Sequence, residues 1–354
     1  MSRLTILYIL VFIIPFVGVL IATPLLSRFA HSKNIVDKPG LHKTHSEAKP
    51  LLGGLAIFIS FAATLFIFLP MDEKLWSLSI STIVLVITGL LDDIYNLKPL
   101  LKLFGQTLAA YIVVFWNAEL FRFMIDYFAL FNIPALVVLL LIVGWVVLIV
   151  NAFNLIDGMD GLAVGTAVII FIALAILSMF EGSNPYILGV QIIGAGACLG
   201  FLFYNFEPAK IFMGDTGSML LGFILATTHL FTIKHPFSSE LVLGSMFIFA
   251  YPALDVTYAI YRRISNRSSI LKADKGHIHH VLLSLGFSVR KTVIIIYLMN
   301  IGFATIAVIL LSLEIQTRFL LLLAIVTFIG VFLFFRQLML ISRRNGVVKK
   351  SGAT

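Results

Sequence analysis

Charge is scarce in this chain. Asp, Glu, Lys and Arg make up 12% of its 354 residues, about half the share usual in soluble domains, which excludes an ordinary water-soluble globule. Cysteine is nearly absent. The single Cys198 excludes an intrachain disulfide and disfavours a cysteine-based zinc site, and its apolar surroundings mark it as packing. A Walker-type phosphate loop is absent, as are internal repeats with a period of about 20 to 50 residues and low-complexity stretches. What fills the chain is apolar sequence: 60% hydrophobic residues and a mean hydropathy of +1.07. That is the composition of a polytopic membrane protein.

Runs long enough to cross a bilayer, about 17 to 25 residues, fall at 4–26, 51–70, 75–91, 100–116, 134–150, 162–180, 186–204, 216–232, 240–261, 292–313 and 317–340. The expected fold is all-α, a single membrane domain of about eleven transmembrane helices. The first run is too long for a signal-peptide core and lacks a small-residue cleavage site after it, so it reads as a retained span. Lysine and arginine set the orientation. With the loop after the first span inside, only Arg3, Lys74, Arg122, Lys234 and Arg318 of the 25 basic residues stay outside. The positive-inside rule then puts the amino terminus out and the carboxyl terminus in. The net charge of +8 needs no nucleic acid, because orientation and anionic headgroups account for it.

The same assignment gathers the polar loops 27–50, 92–99, 151–161, 205–215 and 262–291 on the cytoplasmic face, with carboxylates that are mostly Asp. Short carboxylates beside lysines and histidines at one membrane face point to a metal and phosphate site. Asn151, Asn154, Asp157 and Asp160 recur at every third residue, a spacing that lines one face of a tightened helical turn, and Gly158 and Gly161 oppose a continuous helix. Capping by Asp160 is the plainer alternative. The adjacent Asp92 and Asp93 repel at a span end, a strain relieved by a metal, a lysine or a shared proton. Lys102 and Gln106 are the candidates to face them.

Asp215, Thr216 and Ser218, interleaved with Gly214 and Gly217, open a helix whose free amides would favour phosphate. The residues preceding span 2, with Lys49, Pro50 and Gly53-Gly54, mark a close backbone approach or a ligand; His42 and His45 lie in the same loop. Asp255 is the one carboxylate well inside a predicted span, hence a functional candidate or the partner of a basic neighbour such as Arg262 or Arg263. The loop after it, with Lys272, Asp274, Lys275, His277, His279 and His280, suggests cationic donors for phosphate oxygens more than zinc.

Five segments in order resemble the polyprenyl-phosphate N-acetylhexosamine-1-phosphate transferases: Gly53-Gly54 after a proline, Leu91-Asp92-Asp93, Asn151-x-x-Asn154-x-x-Asp157-Gly158-x-Asp160-Gly161, Phe212-Met-Gly-Asp215-Thr-Gly-Ser218, and Asp274-Lys-Gly-His277-Ile-His279-His280. The resemblance covers nearly the whole chain to about residue 290, and the histidine pattern is similar to the WecA/TagO-like branch rather than the MraY-like one. It implies transfer of a sugar 1-phosphate, GlcNAc before other hexosamines, from a UDP-sugar to undecaprenyl phosphate with release of UMP. It further implies Mg²⁺, with Mn²⁺ as a substitute, in a multi-pass protein of the bacterial plasma membrane whose site faces the cytoplasm. A homodimer is compatible with it.

By that resemblance Asn154 and Asp215 hold the metal, and Asp92 and Asp93 serve the acceptor phosphate. Asn205, Phe212 and Asp160 contact the uridine end, with Lys49, Lys102, Asn151, Asp255, Arg262 and Arg263 as further binding residues. Asp157, His277, His279 and His280 join the catalytic set. Relatives often carry a basic residue where this chain has Leu51, and Lys49 is the candidate replacement. A secondary transporter is the competing class. It fits less well, because transporter sites lie near the midplane and these motifs sit at span ends.

Overall fold

The computed structural model describes residues 3–37, 47–129, 132–180, 182, 184–233, 246–265 and 277–312, with isolated positions 319, 326, 330, 333, 336 and 337. His42, His45, Lys272, Asp274, Lys275 and nearly all of the run at 317–340 lie outside these residues. The chain forms two compact units, 1–238 and 239–354.

The first unit runs α1 (Arg3–Ser32), a two-stranded antiparallel rung of β1 (Val36–Asp37) and β2 (Lys49–Pro50), α2 (Gly53–Phe68), α3 (Glu73–Tyr95), α4 (Pro99–Trp116), α5 (Ala118–Ala129), α6 (Ala135–Ile156), α7 (Leu162–Phe180), α8 (Pro185–Asn205) and α9 (Gly214–Thr232). The second contains a 3₁₀ turn (Phe247–Phe249), α10 (Ala250–Ser265), α11 (Ile278–Ser284) and α12 (Val289–Ser312). Local chemistry explains several boundaries. Asp72 accepts the Leu75 N–H at 2.9 Å to start α3, Asn184 accepts the Tyr186 N–H at 2.9 Å to start α8, and Asn96 at φ 51° ends α3.

In the first unit α9 is the axis, packed against α2, α3, α6, α7 and α8. Every residue of α9 except Asp215 is buried. The outer helices show apolar surface instead: Ile6, Ile13, Ile21 and Leu25 of α1, and Leu136 and Leu140 of α6 are exposed, as lipid-facing side chains are.

Among the described residues, 7 helices are long and apolar enough to cross a membrane: α1, α3, α4, α6, α7, α8 and α12. Of the other apolar runs, the one at 216–232 forms the expected helix, α9, and two fold differently from the simple expectation. The run at 51–70 makes the shorter α2, and the described part of the run at 240–261 starts with a 3₁₀ turn before α10. The segment after α4, read as an outer loop, is the amphipathic α5. Arg122 and Asp126 are exposed one turn apart while Leu120 and Met124 are buried, a 3.6-residue pattern that a count of long apolar runs overlooks.

Candidate active site

The polar side chains of the first unit meet where α3, α6 and α8 end and α2, α4 and α9 begin. Asp92 is fixed through both oxygens: Oδ1 accepts the Leu97 N–H at 2.8 Å and Oδ2 lies 2.8 Å from Lys102 Nζ. Lys102 also contacts Asp215 Oδ2, so one ammonium joins the ends of α3 and α9. A lysine thus relieves the strain that adjacent aspartates created, although only Asp92 uses it.

Asp93 turns elsewhere, since neighbours on a helix diverge by about 100°. Its oxygens accept the N–H of Asp215 at 2.7 Å, the N–H of Thr216 at 3.1 Å and the Thr216 hydroxyl at 2.6 Å. Two α9 amides that the sequence left open for phosphate are therefore taken by an internal carboxylate. Gly214, at φ 71°, leaves room for it, because a Cβ there would strike the Asp93 carboxylate. Gly54 and Gly217 serve packing too. A methyl on Gly54 would overlap the backbone of Gly217, and one on Gly217 would overlap Met213, so the close approach read from Gly53-Gly54 is backbone on backbone.

The third-residue pattern divides in space. Asn151 donates to Gln106 Oε1 at 2.7 Å, and Gln106 in turn faces Met219 Sδ at 3.3 Å. Asn154 donates to Ser218 Oγ at 3.0 Å and reaches the Asp215 carboxylate. Asp160 accepts the Ala209 N–H at 2.8 Å and lies 3.7 Å from Lys49, whose ammonium also sits 5.2 Å over the Phe212 ring. Asn205 clamps the adjoining loops, accepting from Gly161 N–H and donating to Ile211 O. Its buried amide is thus engaged with backbone on both sides. Gln106, expected beside the paired aspartates, meets Asn151 and Met219 instead; it, Thr216 and Ser218 find their partners 45, 123 and 64 residues away, which no local pattern gives.

Asp157 is the exception. It follows the last turn of α6, and its carboxylate receives no hydrogen bond or ion pair among the described residues. Burial first, then the charges of Asp215, Asp93 and Asp160, push it well above the usual carboxylate range. Of the five carboxylates here (Asp92, Asp93, Asp157, Asp160, Asp215), three reach an ammonium: Asp92 and Asp215 meet Lys102, and Asp160 meets Lys49. An oxygen-rich, over-negative cluster with an uncompensated Asp157 and an uncommitted Asn154 carbonyl suits a hard divalent cation. Among the described residues no three acidic, histidine or cysteine side chains already converge on one ion-sized point.

The second unit has its own polar group. Asp255 lies 2.8 Å from His277 Nδ1 through Oδ2 and accepts the Ile278 N–H at 2.7 Å through Oδ1, which starts α11. Its partner is therefore His277 and not Arg262 or Arg263. Those arginines are buried at the end of α10, with Arg262 5.6 Å over the Tyr258 ring. The rings of His277 and His279 stack at 5.7 Å and 6°, and His280 is 4.3 Å from His279. Burial pushes His279 down to about 3.

A family model described as "Glycosyl transferase family 4" matches residues 75–233, the stretch from α3 to the end of α9. A Bacillus subtilis protein named as a probable undecaprenyl-phosphate N-acetylglucosaminyl 1-phosphate transferase is 36% identical over 302 residues, 85% of this chain and 84% of that one. The decaprenyl-phosphate N-acetylglucosaminephosphotransferase of Mycobacterium leprae is 35% identical over 316 residues, 78% of this chain and 77% of its own. A phospho-N-acetylmuramoyl-pentapeptide-transferase of Endomicrobium trichonymphae is 34% identical over 288 residues, 70% of this chain and 76% of the relative. Identity of this extent, spread over chains of similar length and joined to the ordered motifs, means that the chain belongs to glycosyl transferase family 4, the polyprenyl-phosphate N-acetylhexosamine-1-phosphate transferases.

Proposed function

We propose that this protein transfers GlcNAc 1-phosphate from UDP-GlcNAc to a polyprenyl phosphate, undecaprenyl phosphate in bacteria that use it, and releases UMP. The names of the Bacillus and Mycobacterium relatives support the sugar and the lipid. The observation that carries the chemistry is the Asp92–Lys102–Asp215 bridge beside the uncompensated Asp157. Two phosphate groups that must approach each other repel, and a cluster of this kind can orient one while a cation offsets the other.

A bound Mg²⁺, or Mn²⁺ in its place, would polarise the diphosphate and neutralise charge on the departing UMP. Asp215, Asp157 and the Asn154 carbonyl are the residues that would hold it. Lys102 keeps Asp92 and Asp215 within reach of one another and supplies a positive donor to phosphate oxygens. Asp160 and Lys49 with Phe212 shape the loop assigned to the uridine end. The lipid tail stays in the bilayer, its phosphate at headgroup depth, and the reaction runs at the cytoplasmic face of the plasma membrane.

The test is transfer of radiolabelled GlcNAc 1-phosphate from UDP-GlcNAc to undecaprenyl phosphate by the purified protein, with UDP-MurNAc-pentapeptide run in parallel. Mg²⁺-dependent lipid-linked GlcNAc and UMP are expected, both lost with EDTA. Faster transfer from UDP-MurNAc-pentapeptide would move the chain to the muramoyl branch, and no product from either donor would refute the transferase reading.

A further inference from the structure

The polar side chains at the site end of the first unit lie in two layers. Lys102 of α4, Asp215 of α9 and Asn154 of α6 make the outer one, and each has a counterpart about one helical turn deeper along its own helix: Gln106, Met219 and Asn151. The deeper layer is closed by contacts that leave no choice of amide orientation. Asn151 Nδ2 lies 2.8 Å from Val147 O, a backbone carbonyl that only accepts, so the NH₂ and not the oxygen is on that side. Its second hydrogen goes to Gln106 Oε1 at 2.7 Å, which in turn sets Gln106 Nε2 on the Met219 sulfur at 3.3 Å. Gln106 and Met219 are buried. Asn151 is half-buried, and its Oδ1 has no partner among the described residues and is not enclosed by the core. Asn154 is arranged in the same way, with its NH₂ engaged by Ser218 and Asp215 and its oxygen uncommitted. Residues three apart on a helix are neighbours on one face, about 5–6 Å apart, so the two amide oxygens stand side by side.

We propose that Gln106 is a positioning residue that acts through Asn151, holding its amide so that Oδ1 is a fixed acceptor for water bound to a divalent cation at Asn154 and Asp215. The inference rests on the transferase reading for the presence of that cation. Mg²⁺ dehydrates reluctantly and keeps several of its waters, so a site that takes it needs acceptors behind the direct ligands. With both hydrogens of each NH₂ engaged, Asn151 and Asn154 have only oxygen to offer. Without the Gln106 acceptor, one hydrogen of Asn151 loses its partner and the amide is free to turn. A buried amide is also costly in the core of a membrane bundle, and Gln106 offsets that cost only through Asn151 and a weak contact with sulfur. Gln106 itself reaches neither cation nor substrate.

Gln106→Met keeps the side-chain volume and removes the amide. Binding of Mn²⁺ to the full-length protein in nanodiscs, read by electron paramagnetic resonance titration without substrate, should weaken by about tenfold in Gln106→Met and to a similar extent in Asn151→Ala. The double variant should lose less than about twofold beyond either single one, because a residue that acts through another adds nothing once the other is gone. A merely structural Gln106 would lower the thermal midpoint and leave Mn²⁺ affinity unmoved. Unchanged Mn²⁺ affinity in Gln106→Met, losses that add in full in the double variant, or no Mn²⁺ binding by the wild type would each overturn the proposal. If Gln106→Met fails to fold, Asn151→Ala decides alone, and wild-type affinity in that variant overturns the proposal. A wild type whose Mn²⁺ affinity depends on Gln106 in this way but that transfers no sugar would refute the transferase reading and leave the Gln106–Asn151 pair standing.

Discussion

The Asp93 carboxylate takes both the backbone N–H and the hydroxyl of Thr216, at 3.1 and 2.6 Å, and so seals the start of the helix that presents Asp215. Asp92, one residue earlier, ends its own helix and meets Lys102. Two adjacent aspartates therefore do different work. Asp93→Ala should destabilise the first unit by about 2 kcal/mol, the upper end for loss of a helix cap, and lower its thermal midpoint by about 4 to 8 °C. Asp92→Asn keeps the acceptor for Leu97 and should leave the midpoint within about 2 °C while turnover falls by about a hundredfold, since it removes a charged contact of the reacting cluster. Thermal unfolding followed beside activity separates the two, and equal destabilisation in both variants would refute the distinction.

Lys102 occupies the space between Asp92 and Asp215 and so competes for carboxylates that a cation would also use. Lys102→Met should bind Mn²⁺ more tightly than the wild type, as read by electron paramagnetic resonance titration, because a competing charge is removed. Turnover should nevertheless drop by about a hundredfold with loss of the phosphate donor. Weaker Mn²⁺ binding in that variant would show that the lysine supports the metal site instead of rivalling it.

His279 sets a pH dependence of stability. Its ring is buried, neither nitrogen has a partner among the described residues, and its pKa lies at about 3 against about 6.5 in an unfolded chain. Between those values the unfolded state binds a proton that the folded state refuses, so stability rises with pH. This contribution is complete above about pH 6.5 and is lost as pH falls toward 3. The thermal midpoint should fall from pH 7 to pH 5 more steeply in the wild type than in His279→Leu, and identical slopes would refute the assignment.

The site was legible where its chemistry is local. The third-residue run from Asn151, the paired aspartates and the polar start of α9 all announce themselves at short range, and alternating span directions bring them to one end of the unit. Orientation of individual side chains was not legible. Whether Asp93 looks toward lipid phosphate or toward the Thr216 amide depends on where α9 packs, and the partners are 123 residues apart. Asp255 shows the same limit: a basic neighbour two turns away on its own helix was the simple partner, but folding supplied His277 from 22 residues on. Hydropathy in turn counts apolar length without asking which face is wet, so it passed over α5.

The rung between the start of α2 and the approach to α9 has a mechanical consequence. Phe212 N–H donates to Pro50 O, Gly53 N–H to Phe212 O and Gly54 N–H to Met213 O, with the glycine backbones touching at Gly54 and Gly217. The segment bearing Lys49 and the helix bearing Asp215 are thus riveted at three points with no compressible side chain between them. They can only travel together. Rearrangement at this end of the unit therefore falls on the side chains of Lys49, Phe212 and Lys102 before it falls on the backbone rung.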